Sequence, residues 1–137
     1  MHSVTTTWQS GMYFDADVGG HHIVMDAAPE FGGQEKGPRP KPLILASLGG
    51  CTGMDVVSLL KKMRVDYEGF RIIANGEPSP EHPMIYTSVH LVYEFKGNDI
   101  PLDKVKKAVE LSQERYCPVS AMLRKSANLT YEIKVID

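Results

Sequence analysis

Cysteine is scarce in this chain: two in 137 residues, Cys51 and Cys117, 66 positions apart. Two cysteines so far apart exclude a disulfide-dense secreted scaffold. The five histidines, His2, His21, His22, His82 and His90, fall at no zinc-ligand spacing from either cysteine. Clustered positive charge is also missing. The formal net charge is −2, and no basic run exceeds the pairs Lys61-Lys62 and Lys106-Lys107. Nucleic-acid binding draws on grouped cations that neutralise phosphates, so it is not expected here. The N-terminus MHSVTTTWQS has neither a basic nor an apolar region of the kind a secretory signal needs. Internal repeats and low-complexity tracts are absent, as are the GxSxG, P-loop, HExxH and GxGxxG patterns.

What is present suits one globular domain, residues 1–137, of 42% hydrophobic and 23% charged residues. The opening third reads as β. TTTWQS and MYFDADV flank Gly11, and Gly19-Gly20 separates the second segment from HHIVMDA as a hairpin turn. Residues 28–42, with three glycines and four prolines, read as a loop.

An apolar run, LILASLGGCTGMDVVSLL, covers Leu43 to Leu60. Its 18 residues approach the length of a membrane span. Asp55 and three glycines argue instead for a central helix, with the protein in the cytoplasm and no membrane partner. Leu43, Ser47, Gly50, Met54 and Val57 make one stripe; Leu45, Leu48, Thr52, Val56, Leu59 and Met63 make a second. Two apolar stripes predict a helix covered on most sides. Gly49, Gly50 and Gly53 each cost about 1 kcal/mol relative to alanine in such a helix. A close neighbour, a kink or a small pocket would offset that cost.

Residues 67–76 read as a strand. MIYTSVHLVYEFKG alternates, placing Ile85, Thr87, Val89, Leu91, Tyr93 and Phe95 on one buried face. A helix then starts near Pro101 with Leu102, Val105, Val109, Ser112 and Tyr116 inward, and CPVSAMLRKS starts a short third one. LTYEIKVID closes the chain as a strand. The order βββ-α-ββ-α-α-β predicts an α+β fold, antiparallel sheets packed on a long central helix.

Each cysteine has two readings. Cys117 precedes Pro118, which places it at a helix N-cap, where backbone N–H groups favour a thiolate; it also suits a small buried apolar position. Cys51 in an apolar helix is inert core filler, or a thiol in a pocket that the glycines clear.

The segment FGG…GPRPKPLILASLGGCTGMDVVSLL, the long alternating strand, and YCPVSAML resemble the OsmC/Ohr superfamily (osmotically induced protein C and organic hydroperoxide resistance proteins), in its general OsmC-like branch. The resemblance spans nearly the whole chain. It implies an intertwined homodimer with sites at the interface, and thiol-dependent reduction of organic hydroperoxides. It implies Cys51 as the peroxidatic cysteine, Cys117 as the resolving one, an external dithiol as reductant, and no metal or other cofactor. Active members carry a glutamate nine or ten residues before the first cysteine; Lys41 and Pro42 stand there in this chain. The hydroperoxide-resistance branch also uses an arginine from the N-terminal hairpin, whereas the first arginine here is Arg39. The alternative implied by those departures is a non-catalytic dimer that responds to redox state or binds an apolar ligand.

Overall fold

The computed structural model describes residues 1–136 and divides them into two compact units, Met1–Ile44 and Leu45 onward. The first holds a meander of three antiparallel strands: β1 (Val4–Ser10), β2 (Tyr13–Val18) and β3 (His21–Met25). Val18 pairs with His21, leaving Gly19 and Gly20 as a two-residue turn at φ of 59° and 84°. Left-handed backbone at both positions matches the twist of a tight hairpin and favours glycine.

The loop after β3 contains one 3₁₀ turn, Pro29–Phe31, and is organised by Asp26. This carboxylate is almost wholly buried and accepts the backbone N–H of Ala27 at 2.8 Å, Gln34 at 2.9 Å and Lys36 at 3.2 Å. The loop folds tightly enough that a Cβ on Gly33 would sit 1.6 Å from the Ala27 carbonyl oxygen. Sequence alone reads this Pro/Gly-rich stretch as irregular; one buried acid supplies its order.

The second unit is built on helix α1 (Pro42–Lys62). By length and composition alone α1 is long and apolar enough to cross a bilayer. Leu48, Thr52, Val56 and Leu60, one residue per turn, enter the core. They meet Val89, Leu91, Tyr93 and Phe95 of β5 (Tyr86–Lys96), as the alternation of that strand predicts, and Val105, Ala108 and Val109 of α2 (Leu102–Leu111). Phe70 of β4 (Gly69–Pro78) stacks on Phe95 at 4.3 Å between ring centroids.

Coverage of α1 is narrower than its composition predicts. One stripe is buried, while the stripe through Met54 (76% exposed) and Val57 lines an open apolar groove of about 870 Å³ against Phe70, Ile72 and Ala74 of β4. The three helix glycines lie along this groove. A Cβ on Gly53 would come within 3.2 Å of the Ile72 Cδ1, a tight contact that this side-chain end would have to yield to.

One pairing also differs from the expected antiparallel sheets. β4 runs antiparallel to β5, but β6 (Asn128–Ile136) runs parallel to it, from Ser88 opposite Asn128 to Lys96 opposite Ile136. The intervening α2, a five-residue π-helical turn (Ser112–Tyr116) and α3 (Pro118–Leu123) form the long crossover that a parallel neighbour requires.

Three N–H donors, that of Gln34 foremost, hold the Asp26 carboxyl below the ordinary carboxylate value. A depressed value means the loop's support is complete above the unfolded-chain value near 3.9 and is lost as pH falls through the lower folded one. In an NMR titration the Gln34 and Lys36 amide signals should therefore move with a midpoint below the usual aspartate range. Asp26→Asn should abolish that movement; a midpoint at or above the usual range would contradict this account.

Candidate functional site

The fold brings the two cysteines together. Cys51, in the third turn of α1, is half-buried, and Cys117, at the N-cap of α3, is 3% exposed. Both are free thiols, and the Cys117 sulfur lies 3.0 Å from that of Cys51. That is closer than a typical non-bonded sulfur pair and one bond-forming step from a disulfide, whose S–S length is about 2.05 Å.

The π-helical turn explains how Cys117 reaches this place. Its N–H donates to the Ser112 carbonyl at 2.8 Å, a bond between residues i and i+5. The extra residue in the turn alters the phase of the inward stripe. Ser112 remains inward as its spacing predicts, but the next inward residue is Gln113, and Tyr116 turns out to 49% exposure.

Beneath the sulfurs lies a polar cluster in otherwise apolar surroundings. Thr52, Tyr93, Ser112 and Gln113 are each at most 2% exposed. Thr52 Oγ1 is 2.7 Å from both Tyr93 Oη and Ser112 Oγ. Gln113 Nε2 donates to Tyr93 Oη at 2.6 Å, and Ser112 Oγ donates to Asp55 Oδ2 at 2.9 Å. Arg124 donates to the Gln113 backbone carbonyl and, at 2.7 Å, to its Oε1.

The two ends settle every proton between them. A guanidinium only donates and a carboxylate only accepts. Gln113 therefore turns its amide nitrogen toward Tyr93, Tyr93 donates to Thr52, Thr52 to Ser112 and Ser112 to Asp55. Burial raises the Tyr93 phenol above its ordinary value, which keeps that donor protonated.

The cluster also ties the two cysteine-bearing segments together. Thr52 adjoins Cys51, and Ser112 joins Thr52 through its hydroxyl and Cys117 through its carbonyl. Thr52 and Ser112 stand on the inward stripes that the sequence predicts, which by themselves mark no role for either hydroxyl. Two hydroxyls on apolar stripes were the available signal. Gln113, Tyr93 and Arg124 as partners follow only from three-dimensional packing.

Electrostatics hold Cys51 in its thiol form. Burial raises its value first, and the Cys117 thiol and the Asp55 charge raise it further, while the Val119 backbone N–H lowers it. The histidines lie elsewhere: His22 pairs with Asp15 at 3.0 Å, and His90 with Glu132 at 2.7 Å. The α1 glycines clear the groove beside β4, and Cys51 is not among that groove's lining residues. Among the described residues no group of three or more His, Cys, Asp or Glu is arranged to hold a metal ion.

A half-buried thiol backed by a buried one, on a helix crossing a mixed three-stranded sheet, defines a paired-thiol α+β protein. The chain belongs to the OsmC-like protein family, whose model matches residues 33–132. It is 35% identical to Protein YhfA of Escherichia coli over 130 residues, 94% of each chain. Its fold matches the crystal structure of an OsmC-like protein from Mycoplasma pneumoniae with a TM-score of 0.84 at 15% identity, over 100% of this chain and 98% of that one. The organic hydroperoxide resistance protein OhrB of Bacillus subtilis matches with a TM-score of 0.65 at 20% identity, over 97% of each chain. The backbone thus follows the OsmC-like protein more closely than OhrB, although the OhrB sequence is slightly nearer.

Thr52→Val keeps the shape of this side chain and removes its hydroxyl. It strands the Tyr93 proton and leaves Ser112 without its donor, so unfolding free energy should fall by about 1–3 kcal/mol. Chemical denaturation measures this, and Thr52→Ser should restore most of the loss. An unchanged midpoint in Thr52→Val would show that the cluster does not bear on stability.

Proposed function

We propose that this protein reduces organic hydroperoxides, with Cys51 as the attacking thiol and Cys117 as the resolving thiol. The observation that carries the proposal is the 3.0 Å sulfur–sulfur approach, with Cys51 the more exposed of the two. The Cys51 thiolate attacks one peroxide oxygen, the O–O bond breaks, and the departing alkoxide takes a proton to leave as an alcohol. Cys51 is then a sulfenic acid. The Cys117 sulfur displaces the hydroxyl, which leaves as water with the Cys117 thiol proton, and a disulfide forms. An external dithiol reduces it by exchange, restoring both thiols. Fold kinship to a named organic hydroperoxide resistance protein supports this substrate class.

Oligomerisation belongs to the same proposal. Residues 1–44 bury one apolar side chain, Ala16, and expose Trp8, Met12, Phe14, Ile23 and Phe31. In the second unit the α1 groove is apolar and open. Exposed apolar surfaces of this extent mark interaction sites, and a second copy of the chain, in an intertwined homodimer, is the occupant we assign. Two free thiols without a structural disulfide suit a reducing compartment, and we place the protein in the cytoplasm.

The raised Cys51 value sets the pH dependence. Below that value the thiolate fraction grows about tenfold per pH unit, so Cys51 alkylation and peroxide reduction should both climb from pH 7 to 9 without levelling. Steady-state reduction of cumene hydroperoxide with a dithiol donor tests the activity. Cys51→Ser should abolish turnover. Cys117→Ser should still form a sulfenic acid, trapped by dimedone, but no intramolecular disulfide. Undiminished turnover in Cys51→Ser would refute the assignment. A second reading, a redox-responsive protein without turnover, draws on the same raised thiol; it predicts a Cys51–Cys117 disulfide after stoichiometric peroxide but no catalytic cycling. Analytical ultracentrifugation should give a dimer, and a monomer at micromolar concentration would contradict the assembly.

A further inference from the structure

Ser120 is fully buried, and its hydroxyl is the one buried side-chain oxygen or nitrogen among the described residues with no hydrogen-bond partner. Such groups are rare in folded proteins because an unmade buried hydrogen bond is destabilising. Its position makes this one informative. Ser120 is the third residue of α3, counted from the Cys117 cap, and its backbone N–H donates to the Cys117 sulfur at 3.4 Å. In a capping box the side chain at this position reaches back to the N–H of the cap residue. Here that return bond is not made, because the Cys117 N–H is already held by the Ser112 carbonyl at 2.8 Å. The Ser120 hydroxyl is thus left over, on the residue that already touches the Cys117 sulfur.

We infer that Ser120 is a catalytic residue for the resolving step, its hydroxyl donating a hydrogen bond to the Cys117 sulfur as that sulfur becomes a thiolate and attacks Cys51. In the reduced protein the hydroxyl has no hydrogen-bond partner; the developing thiolate would provide one. This role requires a rotation of the side chain about its Cα–Cβ bond that brings the hydroxyl to the cap sulfur. Ser120 keeps its proton throughout. The sulfur–sulfur bond forms from the Cys117 electron pair, and the bond from Cys51 to its leaving group breaks. A donor that acts only when charge appears stabilises the transition state over the ground state.

The role assigned to Cys117 rests on the proposal above, but the test does not need a peroxide. Dithiodipyridine converts Cys51 to a mixed disulfide and releases one thiopyridone. Attack by Cys117 on that disulfide then releases a second, which takes up the thiol proton. The two releases are followed by absorbance. In Ser120→Ala the first should match the parent, and the second should slow by about tenfold or more, since one donor to a developing anion is lost. Its pH profile should also shift upward. The thermal midpoint should equal or exceed that of the parent, because an unpartnered buried hydroxyl has been removed. Ser120→Thr, which keeps the hydroxyl, should hold the second release near the parent rate.

An unchanged second release in Ser120→Ala overturns the inference, as does slowing of the first release or a lowered midpoint, which would mark a structural partner. If the second release behaves as expected but cumene hydroperoxide is not reduced, the peroxidase proposal fails and the role of Ser120 stands.

Discussion

Everything at this site depends on the bond between the Thr52 and Ser112 hydroxyls. Helix α1 and the chain leading to Cys117 are separated by 60 residues of sequence between these two side chains. Apolar packing brings them near each other, but it is tolerant of sliding and of small rotations. A 2.7 Å hydroxyl contact at zero solvent exposure is not. It fixes the relative position of the residue next to one cysteine and the residue whose carbonyl anchors the other. The 3.0 Å separation of the two sulfurs rests on this constraint, since displacement by an ångström or two would part them.

The cluster is also an electrostatic object. It runs from a cation at Arg124 to an anion at Asp55, with every hydroxyl between them oriented the same way. The anionic end lies one helical turn after Cys51 and opposes its ionisation. Lys41 and Pro42 stand where the resemblance implies a glutamate, and the N-terminal hairpin holds no arginine. One backbone donor, the Val119 N–H, favours a thiolate at Cys51. The surroundings of Cys51 thus favour its thiol form.

Much of the frame was legible in the sequence. The element order, the inward face of Val89, Leu91, Tyr93 and Phe95, the Gly19-Gly20 turn and the Cys117-Pro118 cap follow from local periodicity and turn chemistry. What was not legible depends on long-range choices. β6 pairs parallel to β5 because a helical crossover precedes it, and strand patterning is the same for either direction. Tyr116 faces outward because the turn before Cys117 takes one more residue than an α-helix would. The glycines of α1 suggested room beside Cys51, but helix phase directs that room toward β4. Asp26 shows the same limit: nothing local marks it as the carboxylate around which a Pro/Gly-rich loop folds.

The π-helical turn carries one more consequence. In a regular helix each residue advances the chain by about 100°. With Ser112 and Gln113 held in the polar cluster, the orientation of Cys117 depends on how many residues follow them before Pro118. Glu114, Arg115 and Tyr116 are exposed. A one-residue insertion or deletion among them would swing the second sulfur away from the first while leaving every side chain at the site chemically intact. Across these three exposed positions, selection should thus act on length before composition.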